Sequence, residues 1–128
     1  MLFRSAIKMA RSKGLSIPTV YNSNGYDSVS LLQKYEGLID IYLPDIKYGE
    51  NAPAEKYSHA PKYVEISQAA VREMYRQVGQ YDSGGSLSFD RNDLARKGLM
   101  IRHLVLPNRL AGSFKVLEFI AKIGRAHV

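Results

Sequence analysis

The chain alternates between short apolar runs and segments with helical periodicity, and this alternation limits the folds it can adopt. Three apolar runs predict strands at 17–21, 38–43 and 99–106, and the last of them is the strongest. Strands separated by helical segments are typical of parallel sheets whose strands are joined by crossover helices. The sequence therefore predicts an α/β fold with the element order α-β-α-β-α-β-α.

The helix predictions rest on apolar positions that recur about every 3.6 residues and on residues that begin or end helices. Asp27 or Ser28 is a suitable N-cap, and Gly37 is a suitable stop. The predicted helices span 6–13, Asp27 or Ser28 to about Tyr35, 54–58, 61–79 and 110–122, and an extra hairpin strand is expected near 86–89. Three strands are few for a complete sheet. We therefore predict about three parallel strands with crossover helices that form part of a TIM-like (β/α) barrel.

Composition excludes several classes of site. The 128 residues include no cysteine, which excludes disulfides, a cysteine nucleophile, a thiolate zinc site and cysteine-ligated iron–sulfur clusters in this chain. The chain has neither a membrane-spanning apolar run nor a secretory signal, so we expect a cytoplasmic protein that does not contact membranes. The net charge is +6, but basic and acidic residues are interspersed, which favours a solvated surface over nucleic-acid binding.

Polar residues gather where the predicted strands end. In parallel α/β folds, ligand sites lie at the carboxyl ends of the strands, so these residues are candidates for a polar ligand site. They are Asn22, Ser23, Asn24, Asp45, Lys47 and Arg102.

Spacing leaves two interpretations of this group open. Asp45 and Lys47 are two positions apart, so in an extended segment they share a face and either bind a polar or zwitterionic ligand or form a surface ion pair. Arg102 interrupts an apolar run and requires an anionic partner such as a ligand or Asp45 if it is buried, whereas it otherwise faces solvent. His103 points to the other side and is predicted to pack, and His59 has no evident partner. The residues alone predict no catalytic group, no metal ligand and no reaction.

Five stretches in chain order carry a family resemblance: IPTVYNSNGYDS, GLIDIYLPDIKY, KYSHAPKY, AAVREMYRQVG and KGLMIRHLVLPN. From about Ala6 to about Lys122, the chain resembles radical SAM proteins of the pyruvate formate-lyase activating enzyme type, in particular the activating-enzyme homologue subgroup. The resemblance implies a full or partial (β/α) barrel. It also implies an oxidoreductase that uses a 4Fe-4S cluster to cleave S-adenosylmethionine reductively to a 5′-deoxyadenosyl radical, with a glycyl-radical enzyme as its protein partner.

The resemblance also implies roles for individual residues. Asp45 and Lys47 match the family's D-x-K motif at the S-adenosylmethionine site, and Arg102 matches an arginine that contacts the same ligand. The remaining candidates match a loop at the same mouth, where some members place an aspartate that helps to hold a cation. Asn22 stands at that position here, so no cation site is expected. The matching loop residues are Asn22, Ser23 and Asn24.

The family's C-x-x-x-C-x-x-C cluster loop and its Gly-Gly-Glu-Pro segment are missing from this sequence. We expect both to lie upstream of Ala6 in an intact parent, with the last barrel strands downstream of Lys122. The chain alone is therefore expected to be inactive, because nothing in it holds the cluster. We also expect it to fold poorly alone, since an open sheet exposes its edges.

The two ends suggest how such a fragment arose. Residues 2–5 and 123–128 match translations of sequencing-adapter ends. We therefore hypothesise natural sequence at 6–122, the central to C-terminal part of a radical SAM barrel, with adapter-derived ends at 1–5 and 123–128. The alternative function is a small standalone α/β module that binds a polar ligand or a protein partner.

Overall fold

A computed structural model of the chain describes residues 2–79 and 87–125. In chain order the elements are α1 (Leu2–Ser12), β1 (Val20–Ser23), α2 (Val29–Lys34), β2 (Ile41–Pro44), α3 (Asn51–Ser58), α4 (Tyr63–Val78), β3 (Leu87–Phe89), β4 (Ala95–Leu99) and α5 (Ser113–Arg125), with a 3-10 turn at Pro107–Arg109. Within these ranges, no helix has the length and apolar character needed to cross a membrane.

The strands form one sheet in the order β1-β2-β4-β3. β1, β2 and β4 are parallel neighbours, with Tyr21 opposite Tyr42 and Tyr42 opposite Leu99. β3 joins the edge as the antiparallel partner of β4. The described residues therefore form a mixed α/β fold with a four-stranded, mostly parallel sheet that does not close into a barrel. This confirms the α/β prediction with parallel strands.

One face of the sheet carries the core. Tyr42 is fully buried and Leu99 is 4% exposed, and both belong to an apolar cluster with residues of α2, α4 and α5. Burying this cluster is the main favourable contribution to folding. The helical partners in the cluster are Leu32, Ala70, Val71, Met74, Val78, Val116, Phe119 and Ile123.

The helix predictions agree with this core. The predicted helix at 61–79 is observed at Tyr63–Val78, and its apolar positions face the sheet. Ser28 is the N-cap of α2, with its side chain accepting a hydrogen bond from the Leu31 amide at 3.4 Å. α1 begins at Leu2 and α5 extends to Arg125, so both helices continue without a break through positions 6 and 122. The origin of the two ends stays a prediction.

The opposite face of the sheet is only partly covered, since Ile41 of the central strand β2 is buried there while other residues of this face are exposed. Side chains alternate along a strand, so residues flanking the core positions point away from the helices. Val20 and Met100 are 52% and 46% exposed, and Asn22 is also exposed. We call this side, defined by Val20, Asn22 and Met100, the exposed face.

The prediction of a strand at 99–106 is wrong, because the regular strand is Ala95–Leu99. Beyond it, the Met100 amide still donates to Tyr42 O at 2.9 Å, and the Arg102 amide donates to Pro44 O at 3.0 Å. Pro44 has no N–H to return, so the ladder loses the donor that would bind Met100 O. Only an isolated parallel bridge between Asp45 and Arg102 remains.

The extra strand expected near 86–89 is observed at Leu87–Phe89, and position 86 lies outside the described residues. It forms a hairpin with β4 through a turn in which the Asp90 carboxylate accepts from the Asn92 and Leu94 amides. Because β4 runs parallel to β2, this turn lies at the amino ends of the parallel strands. The candidate site lies at the opposite end.

Candidate functional site

Three segments that are distant in sequence meet at the carboxyl end of the sheet. Arg102 donates from Nε to Asp45 Oδ1 at 2.7 Å and from Nη2 to Asn22 Oδ1 at 2.8 Å. Asn22 lies in β1, Asp45 directly follows β2, and Arg102 follows β4. The parallel register of the three strands, together with the Asp45–Arg102 bridge, therefore positions this group.

Arg102 is not a buried arginine. Its side chain is 51% exposed and that of Asp45 is 26% exposed. An ion pair at such exposure contributes about 0–1 kcal/mol to folding, because water screens it and two long side chains are ordered. Within the described ranges, the remaining amino group of the guanidinium, Nη1, forms no hydrogen bond and is left to bind a ligand.

Lys47 lies on the same side of the segment after β2 as Asp45, next to Arg102. Together with Arg102, His103 and Leu104, these two residues line a cleft of about 290 Å³, which we call the arginine cleft. Lys47 is exposed, and within the described ranges its ammonium has neither an ion pair nor a hydrogen bond. The cleft thus presents two cations and one carboxylate. It fits a zwitterion or a polar anion, because a carboxylate can meet the cations while an ammonium meets Asp45.

The loop after β1 contributes unevenly. Of its three predicted site residues, only Asn22 joins the arginine cleft group. The Ser23 hydroxyl instead donates a hydrogen bond to the Asp27 carboxylate and accepts one from the Gly25 amide. The Asn24 side chain accepts a hydrogen bond from the Tyr26 amide at 3.0 Å. Ser23 therefore shapes the loop, and Asn24 lines a neighbouring cleft.

Gly25 holds this loop against β2, which sequence reasoning missed. Its φ is +79°, and a Cβ at this position would lie 2.1 Å from the Asp45 carbonyl oxygen. Only glycine tolerates both the left-handed backbone and this close approach. The Asn-Gly pair in the turn-rich stretch was the sequence signal for such a position.

His103 forms a wall of the arginine cleft, but both of its ring nitrogens have partners. Nδ1 lies 2.5 Å from Ile46 O and Nε2 lies 2.8 Å from Ser113 Oγ. The carbonyl requires a donor, so the proton is on Nδ1 and Nε2 accepts from the serine hydroxyl. His103 therefore ties the segment after β2 to the start of α5, and it is a positioning residue.

A second cleft adjoins the first and was missed from the sequence. Tyr63 is 3% exposed, stacks on Tyr26 with ring centroids 5.9 Å apart and meets Tyr48 edge-on at 5.5 Å. The Tyr63 hydroxyl accepts the Lys47 amide at 2.7 Å, and burial raises the pKa of this hydroxyl. This cleft of about 190 Å³ is called the tyrosine cleft. Its lining residues are Asn24, Tyr26, Lys47, Tyr48, Ser58, His59, Ala60 and Tyr63.

The donor set does not fit an iron–sulfur cluster. The sequence has no cysteine, and the described part of the chain has no group of three or more histidine or acidic side chains that could hold a metal ion. The arginine cleft does fit a zwitterionic small molecule. Its side chains can bind and orient such a molecule.

Comparison with known proteins relates the chain to a longer protein. The chain is 33% identical over 110 residues to the uncharacterized protein MJ0674 of Methanocaldococcus jannaschii, a match that covers 84% of this chain and 26% of that protein. The chain thus spans about a quarter of the length of the curated relative it matches. No family model matches the chain. No solved structure matches it either.

Proposed function

We propose that the chain is a piece of a radical SAM enzyme of the activating type and that its arginine cleft binds S-adenosylmethionine. The observation that carries the proposal is the meeting of Asn22, Asp45 and Arg102 at the carboxyl end of the sheet. The resemblance implied that these residues, which come from three separate stretches of sequence, lie at the mouth of one ligand site. An open, mostly parallel sheet is compatible with a partial (β/α) barrel.

The chemistry of the cleft supports this ligand. The methionyl part of S-adenosylmethionine carries a carboxylate and an ammonium, and the sugar carries two hydroxyls. Lys47 and Arg102 supply donors for the carboxylate, and Asp45 supplies an acceptor for an ammonium or a hydroxyl. When bound, S-adenosylmethionine supplies the radical chemistry of this family, and the residues of this chain bind and orient it.

The activity itself belongs to the intact parent in this proposal. The cluster requires thiolates that this sequence lacks, so the chain alone binds the ligand without cleaving it. The parent is a cytoplasmic enzyme with a 4Fe-4S cluster, and its protein substrate is a glycyl-radical enzyme. The match of this chain to about a quarter of a longer relative is compatible with such a parent.

The test is a calorimetric titration of the full chain with S-adenosylmethionine and S-adenosylhomocysteine. We expect both to bind, because the cleft offers no group that requires the sulfonium charge. Arg102→Gln should weaken binding at least about tenfold, since it removes charged hydrogen bonds to the ligand. Arg91→Gln is the matched control, because Arg91 is exposed near the hairpin turn at the other end of the sheet. Absent binding, or equal losses in the two variants, would contradict the proposal.

A standalone binding module is the second candidate. The continuous apolar cluster shared by the sheet, α2, α4 and α5 favours it, because a chain with its own core can fold alone. Thermal unfolding separates the two functions. A cooperative transition together with binding of simple amino acids, but not of the adenosyl compounds, would favour the module.

A further inference from the structure

We propose that the tyrosine cleft is a second ligand site, which takes an oxyanion carried on a small planar ring. The site is formed by Asn24, Tyr26, Lys47, His59 and Tyr63, and neither Asp45 nor Arg102 belongs to it. Lys47 is the one residue that it shares with the proposed S-adenosylmethionine site.

The cleft has a rigid aromatic wall. Tyr63 is 3% exposed and is held between the stacked ring of Tyr26 and the edge of Tyr48. The outer hydroxyls are also fixed, since Tyr26 donates to Pro61 O at 2.6 Å and Tyr48 pairs with Ser58 at 2.8 Å. Tyr48 and Tyr63 are buried, so the ring that a planar ligand can contact is that of the partly buried Tyr26, which binds without losing side-chain entropy because it is already fixed.

The hydroxyls of the cleft are paired, but three other side chains that line it, Asn24, Lys47 and His59, keep hydrogen-bond donors without partners in the described part of the chain. Within the described ranges, the Lys47 ammonium and the His59 ring form no hydrogen bond or ion pair. The Asn24 carbonyl oxygen accepts the Tyr26 amide, which leaves its NH₂ group as the donor that faces outward. None of the residues lining the cleft is acidic. A site with cationic and amide donors and no carboxylate selects an anion.

The backbone at His59 is an independent indication. His59 ends α3 with φ of +51°, in the left-handed region where helices usually place glycine or asparagine. Lys62, three residues later, is also left-handed at φ of +53°. Of the five non-glycine residues with positive φ in the described ranges, His59 is the one that lines this cleft, so its backbone fixes where the imidazole ring stands.

The volume and the aromatic lining of the tyrosine cleft indicate the size and type of ligand that it can hold. About 190 Å³ suits one ring with one anionic group, and the exposed position of Lys47 and His59 places the charge at the rim. Lys47 lines both clefts, so an anion in the tyrosine cleft lies next to whatever the arginine cleft binds. The structure thus assigns to this end of the sheet two adjoining sites that share one lysine.

The experiment uses ligand-observed NMR on the full chain with phenyl phosphate, benzoate and the neutral benzamide as probes. We expect the two anions to bind and benzamide to bind at least about tenfold more weakly. Lys47→Met should weaken the binding of phenyl phosphate about tenfold, whereas Lys56→Met should leave its affinity unchanged. Lys56 is the matched control, because it is an exposed lysine of α3 that lies over the Tyr57 ring and outside the cleft.

His59→Gly separates binding from folding. Glycine relieves the left-handed strain, so this variant should melt a few degrees higher than the parent and yet bind phenyl phosphate about tenfold more weakly. A variant that melts higher and binds as well as the parent would overturn the role of His59. Benzamide binding as tightly as phenyl phosphate, or no binding of either anion, would overturn the site itself.

Discussion

Arg102 and Asp45 are joined twice, by the Nε–Oδ1 hydrogen bond of 2.7 Å and by the parallel bridge between their backbones. The backbone bridge determines what the side-chain hydrogen bond contributes to folding. Because the backbone register already brings the two residues together, the ion pair is not needed to hold the fold. Its side chains are free to exchange partners when a ligand arrives.

A double-mutant cycle of Asp45→Asn and Arg102→Gln tests this. We expect a coupling energy of about 0.2–1 kcal/mol from urea unfolding of the four proteins, because the pair is half exposed. A coupling of several kcal/mol would show instead that the ion pair is a structural element, and the argument for a ligand would lose its basis.

The effect of replacing Gly25 on stability can be predicted more sharply, because Gly37 serves as a control within the same chain. Gly25 and Gly37 have nearly the same φ, +79° and +82°, but only a Cβ at Gly25 would collide with the Asp45 carbonyl. Gly37→Ala should cost about 1–2 kcal/mol from the backbone alone.

Gly25→Ala should cost about 1–3 kcal/mol more than Gly37→Ala, because the added methyl pushes the β1 loop away from β2. It should also weaken ligand binding at the arginine cleft, whereas Gly37→Ala should not. Urea unfolding and titration of both variants measure the difference. Equal losses of stability would contradict the close approach.

Glu73 predicts how stability depends on pH. Two hydrogen bonds from Arg76, at 2.7 and 2.9 Å, lower the pKa of this carboxyl below its ordinary value of 4.5 and outweigh the opposing effect of burial, and Gln77 adds a third. A lowered pKa in the native state means that the stabilisation is present above pH 4.5 and disappears as the pH falls through the native pKa.

Glu73→Gln should therefore cost about 1–3 kcal/mol at neutral pH, and this difference should shrink in acid. Unfolding curves across the pH range measure it. Glu118→Gln is the control, because the Glu118 pair with Lys122 is 64% and 72% exposed and should change little. A constant difference between Glu73→Gln and the parent would contradict the assignment.

Local signals were sufficient for much of the fold. The Ser28 cap, the continuous apolar run before Pro44 and the period of α4 depend on neighbouring residues, so the sequence could identify α2, β2 and α4. The spacing of Asp45 and Lys47 likewise predicted that they share a face, and both line the arginine cleft.

Other features depend on contacts between distant segments. The end of β4 is set by a missing donor at Pro44 on the neighbouring strand, which the apolar run at 99–106 does not reveal. The tyrosine cleft joins three rings from the β1 loop, the segment after β2 and the start of α4. Nothing in the local sequence around Tyr26, Tyr48 or Tyr63 indicates that they meet.

Leu99 and Met100 test the two faces of the sheet with adjacent residues. Leu99 is 4% exposed in the core, and Met100 is 46% exposed on the exposed face. Leu99→Ala should cost about 2–4 kcal/mol through lost burial and the cavity it leaves. Met100→Gln should stay within about 0.5 kcal/mol of the parent, because no packed core lies over it. Urea unfolding measures both.

A large loss of stability from Met100→Gln would mean that another part of the protein covers this face in solution. The arginine cleft would then be closed to small ligands from that side.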